Sequence, residues 1–422
     1  MLKAKFTLVG FGFLLGFVGL LVACSGAVSP REHALETTVV ALQTKLAKVE
    51  ISTIASTGTS FPILTPTITF TPVISSTANP LTGTLAARID QHLLESGFNG
   101  TILVALKGKV LISQGYRLAD RENDVPNTPQ TKFAIGSLTK TFTSMAIMIL
   151  QERGQLTVQD PICNYIEDCP AAWKPITLHH LLTHTSGIHN YTDLSPEIAN
   201  KINLSKEYKP EDIIALFKDL PLDFTPGNQW SYSNSGYFLL GYVIEKVSGE
   251  SYETFIQKYV LQPLGMSESG YDRASTIVKN RASGYSFDQI HSHFVNALNW
   301  DVSQRYAAGG LYSTVGDLYK WDQALYTDQL VLKETLNTIF TSTVSVPVMN
   351  GFPYGGVYGY GWVTSHHAGH RIIEHSGGFW GFSAYLARYP DDQITVIVLS
   401  NLDITNPISI GGALADIVLE GG

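Results

Sequence analysis

The chain has 422 residues, room for one large domain or two modest ones with extensions at the ends. Apolar residues make up 44% and charged residues 15%, which allows a large core and excludes wholesale disorder. The formal net charge of -8 makes the chain a poor candidate for nucleic acid, because phosphate binding needs a basic surface.

Residues 1–23 read as an export signal. Lys3 and Lys5 form a short positive region, and Phe6 to Ala23 is an uncharged run of 18 residues. Leu21-Val22-Ala23-Cys24 resembles the lipobox of bacterial lipoproteins. There the peptide is cut before the cysteine, which receives diacylglycerol; two acyl chains anchor stably where one is marginal. An uncleaved transmembrane helix is the alternative reading of the same run. Both leave the lysines inside and the body of the protein outside the cytoplasmic membrane. Residues 24–84 then form a short helix and a linker. Leu35, Val39, Leu42, Leu46 and Val49 mark an a/d seam over 31–50, too short to assign a coiled coil. Residues 51–84 hold 15 Ser or Thr, four Pro and no charge, so they cannot bury enough apolar area to order themselves.

The globular domain therefore spans 85–422. Arg88 to Gly97 reads as an amphipathic helix ending at its glycine. Thr101–Leu106 and Lys109–Gln114 read as strands joined by the Lys107-Gly108 turn. Helical segments dominate from 137 to about 265. Strands return at 371–376, 382–389 and 393–400, the last two turning at Pro390-Asp391-Asp392. Strands at both ends suggest one sheet built from both termini. Cys163 and Cys169 lie six apart in ICNYIEDCP. Outside the cytoplasm such a pair can close a small disulfide loop; two partly buried thiols are the alternative.

The chemistry begins at Gly136-Ser137-Leu138-Thr139-Lys140. The stretch after it, Thr141 to Arg153, is apolar nearly all round and stops at Gly154, which predicts a helix buried in the core. Ser137 and Lys140 then share one face of its first turn, at the positive end of the helix dipole. Burial there lowers the lysine pKa, so its neutral amine can accept the serine proton. Helix capping by Ser137 is the plainer reading of that motif alone.

About 95 residues on stands Tyr232-Ser233-Asn234. With S-x-x-K upstream, it resembles the Y-x-N motif of class C β-lactamases and related D-Ala-D-Ala peptidases, the penicillin-binding-protein type of serine hydrolase. Glu374-His375-Ser376-Gly377-Gly378, at the end of a strand, resembles the K-T-G strand motif in an H-S-G form. Leu181-Leu182-Thr183-His184-Thr185-Ser186-Gly187, Gly309 to Thr314 and Tyr358 to Trp362 resemble family segments in the family's order. The resemblance implies an α/β fold of β-lactamase/transpeptidase type: a mainly antiparallel sheet flanked by helices, a helical lobe, and the site in the cleft between. It implies Ser137 as nucleophile, with Lys140 and Tyr232 moving protons. Asn234, His375, Ser376, Gly377 and Gly378 would bind substrate, and the Gly378 and Ser137 amides would hold the oxyanion. It implies a covalent acyl-enzyme on an amide or ester, either a D-Ala-D-Ala-type peptide, a β-lactam or a simple ester, without a cofactor. A slow-turnover sensor of penicillin or peptidoglycan is the alternative, because the motifs specify acylation and not deacylation. The departure from lysine at His375 takes away a fixed cation for a substrate carboxylate, since a free imidazole is mostly neutral at pH 7.

Rival chemistries fail on spacing. His180 and His184 stand at i and i+4, but no glutamate follows His180, so no zinc motif is completed and no metal is expected. No G-x-S-x-G pentad occurs, which argues against an α/β-hydrolase. Nothing in the sequence sets the oligomeric state.

Overall fold

The computed structural model describes residues 84–193, 195–341, 344–348 and 355–421. The export signal, Cys24, the 31–50 helix and nearly all of the linker lie outside the described residues. Thr84 is the first of them and its side chain decides where the domain starts. Its hydroxyl accepts the Ala87 N–H, so helix α1 runs Leu85–Ser96, three residues earlier than the amphipathic pattern suggests, and ends at Gly97 with φ 70°.

Strands β1 (Gly100–Leu106) and β2 (Lys109–Tyr116) pair antiparallel down to Leu106↔Lys109. The two turn residues, Lys107 and Gly108, both take positive φ, the geometry that matches strand twist. Helix α2 (Thr139–Glu152) is buried without interruption from Thr139 to Leu150. Around it lie α3 (Leu178–Leu182), α4 (Asn234–Ser248) and α5 (Tyr306–Gly309), the helical lobe. Cys163 and Cys169 are joined by a disulfide in this lobe.

The C-terminal part contributes β3 (Val344–Val346), β4 (Gly356–Tyr358), β5 (Val363–His367), β6 (His370–Phe379), β7 (Phe382–Tyr389), β8 (Ile394–Ser400) and helix α6 (Pro407–Gly421). One sheet runs β3-β4-β5-β6-β7-β8-β1-β2, antiparallel throughout. The N-terminal hairpin thus completes a sheet begun by the C-terminal strands, Thr101 pairing with Leu399. Strand alternation splits the core. Ile102, Val104, Val396 and Val398 face α1 and α6, whereas Leu103, Ala105, Ile397 and Leu399 face α2 and the lobe. The expected strand 371–376 runs on to Phe379, so the His375 motif lies inside β6 and not at its end.

Candidate active site

Ser137 sits one step before the buried helix. Gly136–Leu138 form a 3₁₀ turn that feeds into α2, and Gly136 takes φ +49° to make the bend. A 3₁₀ turn eclipses positions i and i+3, which carries the Lys140 amine to the serine. Lys140 Nζ lies 3.0 Å from Ser137 Oγ, 2.7 Å from Asn234 Oδ1 and 2.8 Å from the Ala308 carbonyl. The lysine is fully buried, and burial holds its pKa well below the usual value. A neutral amine has two hydrogens and one lone pair. The Ala308 and Asn234 oxygens can only accept, so each takes a lysine hydrogen, and in the neutral form that burial favours the lone pair would be left for the Ser137 hydroxyl. The hydroxyl is not spent on capping the helix.

Asn234 opens α4, and its amide orientation is fixed by neighbours that no sequence motif announces. Its Nδ2 donates to Thr192 Oγ1 at 2.8 Å; Thr192 in turn donates to Asn190 Oδ1, which also accepts the Asn234 backbone N–H. With the nitrogen held there, the oxygen must point to Lys140. Tyr232, half-buried, hydrogen-bonds the Ser137 side chain. Burial raises the phenol pKa, and the serine contact opposes the shift. The Lys140 nitrogen also lies over the Tyr232 ring, 4.8 Å from its centroid.

Strand β6 closes the other side. The carbonyl of Ile135 would lie 1.9 Å from a Cβ on Gly377, and a Cβ on Gly136 would lie 2.7 Å from the Gly378 carbonyl. Only glycine lets these backbones meet, so the serine turn rests directly on the motif strand. Strand β5 pairs with β6 only as far as Glu374, while β7 continues to Phe379↔Phe382. Residues 375–379 therefore have an edge with no strand on it. The two-residue turn after Phe379 puts the exchanged hydrogen bonds of β7 on 379, 377 and 375. The N–H groups of Ser376 and Gly378 then face the open edge, and Gly378 is exposed. The Ser376 side chain lies on the opposite sheet face, since its cross-strand partner Tyr385 reaches Glu374 there. It is the backbone of Ser376, and not its hydroxyl, that borders the open edge.

His375 is buried and committed. Its Nδ1 donates to the Ser376 carbonyl at 2.6 Å, which leaves Nε2 to accept from the Tyr358 hydroxyl at 3.0 Å. Burial, with a contribution from Lys140, pushes its pKa down to about 3, so the ring is neutral across the physiological range. His184 is a packing residue: it accepts the Ser233 N–H at Nδ1 and its ring lies 4.4 Å from that of Tyr232. His180 accepts the Thr177 N–H. Each histidine of that pair is thus occupied separately. Among the described residues no group of three or more His, Cys, Asp and Glu could hold a metal ion.

The sequence pattern that defines the Beta-lactamase family matches residues 85–417, most of the chain. The chain belongs to the Beta-lactamase family. Its relatives within that family include a penicillin-binding protein by name, PbpX of Bacillus subtilis (strain 168), 34% identical over 265 residues, 63% of this chain and 64% of PbpX. The match therefore spans less than two thirds of that relative's own length. The teichoic acid D-alanine hydrolase of Staphylococcus aureus is 28% identical over 337 residues, 79% of this chain and 78% of its own. Among solved structures, a penicillin-binding protein from Bacillus halodurans superposes with a TM-score of 0.69 at 28% identity, covering 78% of this chain and 98% of the other. The mainly antiparallel sheet with its helical lobe is the fold of this family.

Proposed function

We propose that the chain is a serine acyl hydrolase in which Ser137 carries a covalent acyl group. The observation that carries this reading is the coordination of Lys140: a fully buried amine, its pKa lowered by burial, within hydrogen-bond distance of two carbonyl oxygens and of the serine hydroxyl. Ser137 attacks the substrate carbonyl as its proton passes to Lys140. The Gly378 and Ser137 N–H groups hold the developing oxyanion; one such donor typically supplies about 2.7–4 kcal/mol of transition-state stabilisation. Tyr232 passes the proton on to the leaving group. Water then attacks the acyl-serine by the same route in reverse, with Lys140 and Tyr232 taking its proton.

The leaving group is an alcohol or amine without a carboxylate. Both nitrogens of His375 are engaged by the protein and its ring is uncharged, so this position offers a substrate carboxylate no cation. That favours esters and D-amino-acid amides or esters over β-lactams and D-Ala-D-Ala termini. The name of the Staphylococcus aureus relative, a teichoic acid D-alanine hydrolase, fits the same preference. Residues 1–24 support an extracytoplasmic protein anchored to the cell membrane through lipid on Cys24.

A hydrolysis panel tests this reading. Steady turnover of a p-nitrophenyl ester is expected, at a kcat/KM at least tenfold above those for nitrocefin and a D-Ala-D-Ala peptide. A single stoichiometric burst with every substrate would instead favour a sensor, and fastest turnover of nitrocefin would overturn the argument from His375.

A further inference from the structure

Strand β6 does not end at the exposed glycine. Phe379 and Trp380 follow Gly378, and both are partly exposed. Trp300 joins them, its ring 5.1 Å from Trp380 and 6.0 Å from Phe379. Alternation along the strand puts Phe379 on the same face as His375 and Gly377, the face that carries the serine turn. Trp380, the first residue of the turn after β6, is two residues past Gly378, so its backbone lies within about 7 Å of the glycine.

This shelf is rigidly supported. Trp300 donates its Nε1–H to Gln304 Oε1 at 2.8 Å. Gln304 is fully buried, and its amide nitrogen lies within 2.9 Å of the carbonyls of Asn203, Leu204 and Lys206. Every polar atom of that side chain is therefore used to hold the tryptophan in place. Beneath Phe379 the Arg305 guanidinium stacks at 3.9 Å from the ring centroid, itself tied to Asp272 and to the Gly309 carbonyl.

The direction of the bound substrate follows from the proton path. The leaving group must lie at Tyr232 and Lys140, the end where His375 and Tyr358 also sit. The acyl group on the other side of the scissile carbonyl then extends along the open edge toward Phe379. We propose that Trp300, Phe379 and Trp380 form an acyl-side subsite that takes an aromatic or branched apolar acyl group. The proposal rests on the hydrolase reading above. The Arg305 guanidinium stacked on Phe379 is ion-paired with Asp272, so what the shelf offers an acyl group is ring surface and not a free charge. An aromatic group laid between such rings gains both buried area and stacking geometry.

The test compares p-nitrophenyl phenylacetate with p-nitrophenyl acetate, each rate divided by its spontaneous hydrolysis in buffer. The acetyl group is too short to reach the shelf and reports the catalytic groups alone. The wild-type protein is expected to prefer phenylacetate at least tenfold in kcat/KM. In Trp380→Ala, at a half-exposed turn position, that preference should fall at least fivefold, through KM. An unchanged preference in the variant, or an equal fall in kcat for both esters, would overturn the subsite. So would a wild-type preference for a trimethylammonioacetyl ester over phenylacetate. Failure of the wild type to hydrolyse either ester would overturn the hydrolase reading itself, and the subsite with it.

Discussion

Lys140, His375 and Glu374 are three buried ionisable side chains within one small region, and burial shifts each toward its uncharged form. For Lys140 that is the form the proposed chemistry uses. For Glu374 it is a stability matter. The carboxyl is buried on the α6 side of the sheet, takes the Tyr385 hydroxyl as donor, and has its pKa raised by burial to about 7. Because the folded pKa lies above the unfolded one, the folded protein binds the extra proton. The stability this gives is complete below about pH 4.5 and is lost as pH rises to about 7. At roughly 1.4 kcal/mol per pKa unit, the loss between pH 4.5 and about 7 is on the order of 3 kcal/mol. Glu374→Gln keeps an acceptor for Tyr385 and cannot ionise. Urea unfolding at pH 5 and pH 8 should show the wild type losing stability at the higher pH and the variant losing less. Equal losses would mean that Glu374 does not titrate in this range.

Among the elements, β6 does the most, and it was only partly legible in the sequence. Its glycines were visible as a motif, but their necessity comes from the turn lying against them, a contact between positions about 240 residues apart. Gly377→Ala places a methyl 1.9 Å from the Ile135 carbonyl, so the serine turn must move. Overpacking of this kind costs about 1–3 kcal/mol, and misplacing a nucleophile by an ångström costs on the order of 10²-fold in rate. The variant should therefore lose esterase activity far more than it loses thermal stability; full activity would show that the close approach is not needed. Ser137, Lys140, Tyr232 and Asn234, which the structure brings together, stand out in short motifs because each role proposed for them demands one residue type. The Asn190–Thr192 clamp, the Ala308 carbonyl and the Tyr358 hydroxyl do not. They act through hydrogen bonds that many residue types can make, and a backbone carbonyl leaves no trace in sequence. Strands β3 to β5 escaped notice because they are only three to five residues long.

For the whole molecule, the joining of both termini in one sheet was legible as strands at either end of a helical middle. The pairing order was not, because register is set by contacts across the fold. Location is the other property at this scale. The proposed anchor depends on Cys24 alone, so Cys24→Ser should move the protein from the membrane fraction to the soluble extracytoplasmic fraction. Retention in the membrane would favour an uncleaved transmembrane segment. The central claim, however, is chemical: one serine carries the acyl group. Rapid acid quenching during turnover of a p-nitrophenyl ester, followed by peptide mass mapping, measures this directly. The account predicts the acyl mass on the peptide containing Ser137 and no adduct in Ser137→Ala. An adduct on another residue, or steady hydrolysis by Ser137→Ala, would contradict it.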